Sequence, residues 1–347
     1  MSSCSKNEVS ENNSESSLIG FSTYTGRATK ADGSFVPKGT TALPVGGKFG
    51  VYCYHTGATP FATALASATK PTPNFMADQA VTYNGTDKNI SANYTYNPTR
   101  YWPADGASNL LSFIAYYPQG NSTITKNITS GLGTYDIAVP ATPSTQADCM
   151  LSDLVADQTY DSNTPKGQVN LIFHHMLTQV NFQAMTDKNY NSGTQENTVI
   201  TITGVTLTNV KSKGTLTVAS TAAASNWGTT ANTPINFSVP LSTTAADLIL
   251  SDAAKDFTAN KQTATANSAT FLMVPQTLSD DVVLTVTYTY KTGSDMAITN
   301  TKTVKLNTKT AEWKKNQNIL YTISVGLKAI TFTATVSDWD AQQTVNL

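Results

Sequence analysis

The sequence is poor in charge and in long apolar segments. Charged residues make up 13% of its 347 residues, about half of the roughly 25% usual for soluble domains. The formal net charge is −1, so no basic excess is available for phosphate backbones and nucleic acid is not expected as a partner. No apolar run reaches the roughly 18 residues of a membrane-spanning helix.

Cysteine is also scarce. Cys4, Cys53 and Cys149 do not have the CxxC spacing of a structural zinc site. Their odd number leaves at least one thiol outside any intramolecular disulfide. Cys53 and Cys149 are open to two interpretations, a disulfide with each other or burial as small apolar side chains, and burial is favoured.

Motifs of enzyme chemistry are absent from the sequence: it has no Gly-rich phosphate loop, GxSxG elbow or HExxH pair. His174 and His175 are adjacent, and adjacent strand residues point to opposite faces, so they cannot bind one metal ion together. Asp338 and Asp340 share a strand face, but surface segments are commonly rich in aspartate. We therefore predict no catalytic residues, no metal site and no cofactor.

Thr, Ser, Asn and Ala take the place of the missing charges. Threonine is β-branched and favours strands, whereas Asn and Ser favour turns. This composition is typical of an all-β extracellular protein rather than of a cytosolic enzyme.

Short segments of alternating or continuous apolar residues recur along the chain, with turn residues between them. We predict strands over 48–55, 109–117, 135–139, 169–184, 200–207, 282–290, 321–325 and 330–336. The segment 148–157 is open to a short helix or an irregular crossover. A shift of apolar phase at Gly204 predicts a β-bulge. The pattern indicates Ig-like β-sandwich architecture with little helix.

The length indicates two domains at roughly 100–200 residues each. Residues 5–17 are polar and contain one apolar residue, Val9, so they cannot bury enough surface to fold. A polar stretch at 158–168 marks the predicted domain boundary. The predicted division is a flexible lipoprotein tether at 1–17, an N-terminal β-sandwich domain at 18–165 and a C-terminal β-sandwich domain at 166–347.

The chain opens Met-Ser-Ser-Cys-Ser, and the small residues before Cys4 resemble the end of a bacterial lipoprotein signal. In such proteins this cysteine becomes the acylated first residue. The basic and apolar parts of a signal peptide do not precede Cys4, so the chain as given could not be lipidated. We expect lipidation of Cys4 in the native protein, with an incidental thiol in a flexible tail as the alternative.

A short predicted strand follows the tether. Ile19, Phe21 and Thr23 share one of its faces, and Arg27 comes directly after it. Arg27 and Arg100 are the only arginines in the chain. By itself Arg27 is open to being a solvated loop charge or a protease cleavage site.

Five segments together resemble the fimbrillin-like (Mfa-like) proteins of Bacteroides and relatives. They are the start at Cys4, Tyr101-Trp102-Pro103 leading to residues 111–118, Phe173-His174-His175-Met176-Leu177 continuing to residue 182, Phe271-Leu272-Met273-Val274-Pro275-Gln276, and Trp313-Lys314-Lys315-Asn316-Gln317 before the last strands and Trp339. The resemblance spans nearly the whole chain and rests on packing patterns. It implies two tandem transthyretin-like β-sandwich domains, export as an outer-membrane lipoprotein and assembly into surface pili.

The resemblance also implies a mode of assembly. In this family an Arg- or Lys-specific protease removes an N-terminal strand, and a strand from another subunit fills the groove left behind. Residues 18–26 match the removable strand, and cleavage would fall between Arg27 and Ala28. The donor would be the C-terminal region, whose alternating residues are Ile330, Phe332, Ala334 and Val336. The same residues are equally open to being the ordinary last strand of the second domain.

The implied function is that of a structural subunit or adhesin of fimbriae. Its partners would be other pilus subunits, in a homo- or hetero-polymer, and a host or bacterial surface receptor. The alternative is a surface lipoprotein that does not polymerise and binds glycan or host matrix. Tyr101, Trp102, Tyr116 and Tyr117 would form a sugar-stacking platform if they were exposed, but the apolar residues among them favour burial in the core.

Overall fold

The computed structural model describes residues 18–25, 43–103, 108–163, 165–191, 197–228, 233–259, 271–327 and 330–338. Cys4, Arg27, Ala28 and the tether at 1–17 lie outside these residues, so the predictions made for them stay predictions. The described chain is mostly strand with only two short α-helices, which confirms the predicted all-β class.

The first half of the chain contributes nine strands and one helix in its described part. They are β1 (Gly20–Thr25), β2 (Lys48–His55), α1 (Phe61–Ala66), β3 (Met76–Tyr83), β4 (Tyr94–Thr95), β5 (Leu111–Tyr117), β6 (Ile124–Asn127), β7 (Thr134–Ala138), β8 (Met150–Ser152) and β9 (Val155–Gln158). The segment 148–157 therefore holds two short strands, β8 and the start of β9, rather than a helix.

The second half begins at the predicted strand 169–184, which forms two strands in the structure. Its elements are β10 (Gln168–His175), β11 (Thr178–Thr186), β12 (Thr198–Val210), β13 (Lys213–Thr217), β14 (Asn226–Gly228), β15 (Ile235–Ser238), α2 (Ala245–Leu248), β16 (Phe271–Met273), β17 (Gln276–Thr277), β18 (Val283–Thr292), β19 (Ile298–Lys305), β20 (Glu312–Trp313), β21 (Gln317–Val325) and β22 (Ile330–Asp338). The predicted strand 169–184 is interrupted at Met176 and Leu177, and its two parts join different sheets.

The largest sheet has the order β1-β10-β8-β5-β2-β3-β4, with β9 beside β5. Both faces of its central strands are buried. Leu111, Phe113 and Ala115 of β5 pack in one core cluster, whereas Ile114 and Tyr116 pack in the other. Burial on both faces explains the near-continuous apolar run at 109–117.

Cys53 and Cys149 are both buried and neither is in a disulfide. Cys53 belongs to the cluster on one side of the largest sheet and Cys149 to the cluster on the other. The burial interpretation is therefore confirmed. Burial also raises the pKa of both thiols, which keeps them protonated.

The second half contains two further four-stranded sheets, β16-β11-β21-β22 and β15-β12-β18-β19. Phe182 of β11 stacks on Tyr321 of β21 within the first of these sheets. Phe237 of β15 meets Phe271 of β16 edge-on, which joins the two sheets in the core between them. The register of β12 against β18 shifts between Ile202 and Gly204, which confirms the predicted bulge.

Strand pairing crosses the predicted boundary between residues 165 and 166. β10 lies after that boundary but pairs with β1 and β8 from before it. In the other direction, β13 pairs with β7 in the sheet β14-β13-β7-β6. The two-domain division stays a prediction, and the two halves of the chain share backbone hydrogen bonds in two sheets.

Candidate functional site: the groove that holds β1

The predicted removable strand is β1. It lies in a groove against the core cluster that contains Phe49 and Phe113. Ile19 and Phe21 are 0% exposed and Thr23 is 2% exposed. These are the residues that alternation assigned to one face, and the structure buries all three. The strand therefore contributes core side chains in addition to backbone pairing.

Phe21 is the main apolar contact between β1 and the groove. Its ring meets those of Phe49, Tyr96 and Phe113 edge-on, with centroid distances of 6.1, 5.5 and 6.3 Å. Edge-to-face pairs at such distances stabilise a core beyond the area they bury. Removal of β1 would leave an aromatic-lined pocket at this position.

β10 forms the inner edge of the groove. It pairs in parallel with β1 from Gly20 opposite Gln168 to Thr25 opposite Phe173. The N–H of Gly20 donates to the carbonyl of Gly167 at 3.0 Å. A side-chain hydrogen bond from Ser22 to Asn170 adds to the pairing.

The outer edge of the groove is built by tyrosine hydroxyls and a loop carbonyl rather than by a neighbouring strand. The N–H of Ile19 donates to the carbonyl of Arg100 at 2.9 Å. The hydroxyl of Tyr96 donates to the carbonyl of Ile19 at 2.8 Å. Four residues along β1, the N–H of Thr23 donates to the hydroxyl oxygen of Tyr94 at 3.0 Å. Both edges of β1 are thus hydrogen-bonded.

Burial raises the pKa of Tyr94 to about 12, although its hydrogen bonds with Thr23 work in the opposite direction. Burial likewise raises the pKa of Tyr96 to about 12. Both hydroxyls therefore keep their protons throughout the physiological pH range, and their hydrogen-bonding roles at the groove do not change with pH.

Gly20 lies against Ser91 in a short helical turn beside the groove. A Cβ at position 20 would come within 2.2 Å of the Ser91 hydroxyl oxygen and 3.0 Å of its Cβ. The groove in this form accepts only a residue without a side chain at this position.

The predicted burial of Trp102 is confirmed. Its Nε1 donates to the carbonyl of Gly167 at 2.9 Å, and its ring packs edge-on against Phe113 at 5.8 Å. Of the four aromatic residues considered as a sugar platform, Tyr116 and Tyr117 are also buried, and Tyr101 alone is exposed at 50%. The row of stacked, exposed rings that a sugar platform needs is therefore not formed by these residues.

The candidate donor strand is β22, which pairs antiparallel with β21 along its whole length, from Ile330 opposite Val325 to Asp338 opposite Gln317. Among the described strands it ends its sheet. Ile330 and Ala334 are half-buried against the core cluster, and Val336 is 44% exposed. The backbone of Phe332 lies in the same strand. In this structure Ile330–Val336 is thus the last strand of a sheet, and its role as a donor stays a prediction.

The two adjacent histidines face separate carboxylates. His174 Nε2 lies 3.0 Å from an oxygen of Asp153, and His175 Nδ1 lies 2.6 Å from an oxygen of Asp148 in the core. Burial raises the pKa of Asp148, and the neighbouring His175 partly offsets that effect. Within the described ranges, no three His, Cys, Asp or Glu side chains form a group that could hold a metal ion.

Sequence reasoning did not single out Ser91, Tyr94 or Tyr96, although all three touch β1. The available signal is the alternation Tyr94-Thr95-Tyr96, which places both tyrosines on one side of the short strand β4 and the residue after it. Neither α-helix in the described part of the chain is long enough to cross a membrane.

Two solved structures resemble the fold. A fimbrial protein from Bacteroides vulgatus ATCC 8482 matches with a TM-score of 0.61 and 20% identity, over 93% of this chain and 99% of that protein. A proposed cell adhesion protein from Bacteroides uniformis ATCC 8492 matches with a TM-score of 0.51 and 16% identity, over 93% and 98% of the two chains. At these identities the likeness concerns the fold.

No curated protein matches the chain. The sequence model of the fimbrillin-like family matches residues 27–339, which is most of the 347 residues and includes four of the five segments that carried the resemblance. The chain belongs to the fimbrillin-like family.

Proposed function

We propose that this protein is a structural subunit or adhesin of cell-surface pili and that it joins neighbouring subunits by donor-strand exchange. Membership of the fimbrillin-like family supports the surface location and the assembly with other pilus subunits. The observation that supports strand exchange is β1, a strand with a fully buried face at the end of a sheet.

The physical basis is the cost of an empty groove. Without β1, the backbone groups of β10 and the pockets of Ile19 and Phe21 would face water. An incoming strand pairs with that backbone and fills the pockets with alternate side chains. Its binding is therefore favoured both by backbone hydrogen bonds and by burial of apolar side chains.

The C-terminal strand carries side chains of a similar pattern. Ile19-x-Phe21-x-Thr23, which starts one residue before β1, corresponds to Ile330-x-Phe332-x-Ala334 in β22. We propose that cleavage after Arg27 releases β1 and that the segment starting at Ile330 of another subunit replaces it. Lipidation of Cys4 would hold the subunit on the outer membrane before processing.

Treatment of the purified protein with an Arg-specific protease tests this proposal. We expect cleavage at Arg27 to be followed by polymers that resist SDS without boiling. Arg27→Lys removes the cleavage site while keeping the charge and should stay monomeric, whereas Arg100→Lys should polymerise like the unaltered protein. Monomers that persist after complete cleavage at Arg27 would contradict strand exchange.

The N-terminus of the protein on native cells tests the processing step. Mass spectrometry of the surface form should find a start at Ala28 if the strand is removed. A lipidated start at Cys4 would instead indicate an anchored subunit whose groove stays filled by β1.

A further inference from the structure

We propose that residues 84–93, the loop between β3 and β4, form a strap over β1, and that this strap must open before a strand can leave or enter the groove. The inference rests on the proposed strand exchange and concerns its regulation. It identifies the step that limits the rate of exchange once the chain has been cut after β1.

The strap covers the face of β1 that points away from the core. Gly20 and Ser22 lie on that face, because alternation along the strand places them opposite to Ile19, Phe21 and Thr23. Both are nevertheless buried, and Ser22 is only 6% exposed. Since β1 is the last strand of its sheet, this burial requires cover from a segment outside the sheet.

Two residues of the strap provide that cover, one near each end of β1. A Cβ on Gly20 would meet the Ser91 hydroxyl oxygen at 2.2 Å, so the strap lies directly on the strand there. Farther along β1, the ammonium of Lys88 lies over the Tyr24 ring, 4.0 Å from its centroid. The strap therefore crosses β1 from Gly20 to Tyr24.

The strap is attached on both sides of β1. On the inner side, Gln168 of β10 donates from Nε2 to the carbonyl of Asn89 at 3.2 Å. On the outer side, the Tyr94 hydroxyl donates to the carbonyl of Lys88 at 2.8 Å. β1 is thus enclosed by the core, by β10, by the outer edge of the groove and by the strap. A strand enclosed in this way cannot move sideways out of the groove while the strap is closed.

The strap can open without disrupting the core. All of residues 84–93 are exposed or half-buried except Gly85, and Ile90, the apolar side chain of the segment, is 49% exposed. Exposed segments held by a few hydrogen bonds open locally at a lower free energy than buried strands do. The strap therefore has the properties of a gate, whereas Ile19 and Phe21 of β1 are fixed in the core.

A reversible bridge between the strap and β10 tests whether the strap must open. Asn89 and Asn170 are both exposed, and each has an oxygen within 3.4 Å of Gln168 Nε2, so the two residues are neighbours. Asn89→Cys and Asn170→Cys can therefore be joined by a flexible bis-maleimide that contains a reducible disulfide. Cys4→Ser is added to restrict the reaction to this pair, because the other two native cysteines are buried.

The full chain also carries a site for a sequence-specific protease after Gly33, so that the cut does not depend on Arg27. After the cut, an excess of fluorescent peptide with the sequence of residues 18–27 displaces β1, and fluorescence anisotropy gives the rate. The urea concentration is the lowest at which the unbridged chain exchanges. We expect the bridge to slow displacement at least about tenfold, and reduction of the bridge to restore the rate.

A second bridge is the matched control. Thr287→Cys and Thr301→Cys face each other in the β18–β19 pair, away from β1, and joining them should leave the displacement rate unchanged. Equal rates with the strap bridged and unbridged would mean that β1 leaves lengthwise beneath a closed strap, and would overturn the proposal.

Gln168→Met distinguishes a gate from a contact that only holds β1 in place. It removes the hydrogen bond to Asn89 but keeps a side chain of similar length. A looser gate speeds passage in both directions. After residues 1–33 have been removed from the cut chain in urea, we therefore expect the entry and release rates of the peptide each to rise about fivefold, the equivalent of one lost hydrogen bond, at nearly unchanged affinity.

A peptide with Ile19→Val is the comparison for Gln168→Met. It loses a core contact and no strap contact, so its release should be faster while its entry rate stays the same. An increase in the release rate alone in Gln168→Met would overturn the proposal. Neither test involves polymers, so failure to polymerise after cleavage at Arg27 would count against strand exchange, whereas displacement that is insensitive to the bridge would count against the strap alone.

Discussion

β1 and β22 both lie at the end of a sheet, but the chain holds them in different ways. β1 is parallel to its partner, has a fully buried face and is hydrogen-bonded along both edges. β22 is antiparallel to β21 and exposes Val336 by 44%. Position at a sheet edge therefore does not determine how much a strand contributes to the core.

The two strands also differ in how far their partners lie along the chain. β22 follows β21 after residues 326–329, so the pair forms a local hairpin. Ser22 and its partner Asn170 are 148 residues apart. Once the chain is cut after β1, only non-covalent contacts retain that strand, whereas β22 remains tethered beside its partner.

The largest expected effect comes from truncating the central side chain of β1. Phe21→Ala should lower the free energy of unfolding by about 3–5 kcal/mol, because the ring is fully buried among three other aromatic rings. Val336→Ala in β22 should cost less than about 1 kcal/mol, since that side chain is partly in water. Urea unfolding of both variants measures the difference.

Equal losses in the two variants would show that the burial contrast between β1 and β22 has no energetic consequence. Ala334→Gly is unsuited as a control here, because glycine also changes the backbone entropy of a strand.

The next effect concerns the close contact between Gly20 and Ser91. Gly20→Ala should destabilise the protein by about 1–3 kcal/mol, because the new Cβ would meet the Ser91 side chain at 2.2 Å. Adding Ser91→Gly should recover most of that loss. Ser91→Gly alone is the control, and thermal unfolding of the three variants gives the coupling between the two sites.

The contact between Gly20 and Ser91 also bears on how the donor strand β22 would fit the groove. If Ile330 takes the place of Ile19, then Thr331 takes the place of Gly20, and Ser91 must move to admit it. We therefore expect Ser91→Gly to speed polymer formation after cleavage at Arg27. An unchanged rate would argue against this register of the donor strand.

Much of β1 and β22 was predictable from local sequence. The alternation of Ile19, Phe21 and Thr23 correctly identified the buried face of β1, and that of Ile330 to Val336 correctly identified β22 as a strand. Alternation could not distinguish the buried strand from the half-exposed one. Both alternate with a period of two residues, and only the partners in space differ.

The outer edge of the groove was not predictable in this way. Tyr94 lies 71 residues from Thr23. The residue types at 94–96 do not predict a partner so far along the chain. The predicted domain boundary likewise rests on local residue types alone. Residues 158–168 contain turn formers, but pairing of β10 with β1 and β8 is a long-range property that turn residues do not encode.

The smallest predicted effect is a pH dependence at the end of β10. Burial acts to raise the pKa of Asp153, but hydrogen bonds from His174 and the N–H of Ala222, together with the charge of His174, outweigh it, and the net pKa is lowered. A carboxyl with a lowered pKa stabilises the fold above its unfolded pKa of about 3.9 and loses that contribution as the pH falls through its folded pKa.

Asp153→Asn keeps the shape and an acceptor for Ala222 but removes the charge. We therefore expect the unaltered protein to be more stable than Asp153→Asn near pH 6 and the difference to shrink below about pH 4. The effect should be modest and should weaken with added salt, because both side chains of the pair are about one-third exposed. Urea unfolding at several pH values measures it. A difference that stays constant down to pH 2 would show that the charge of the Asp153 carboxylate is not its source.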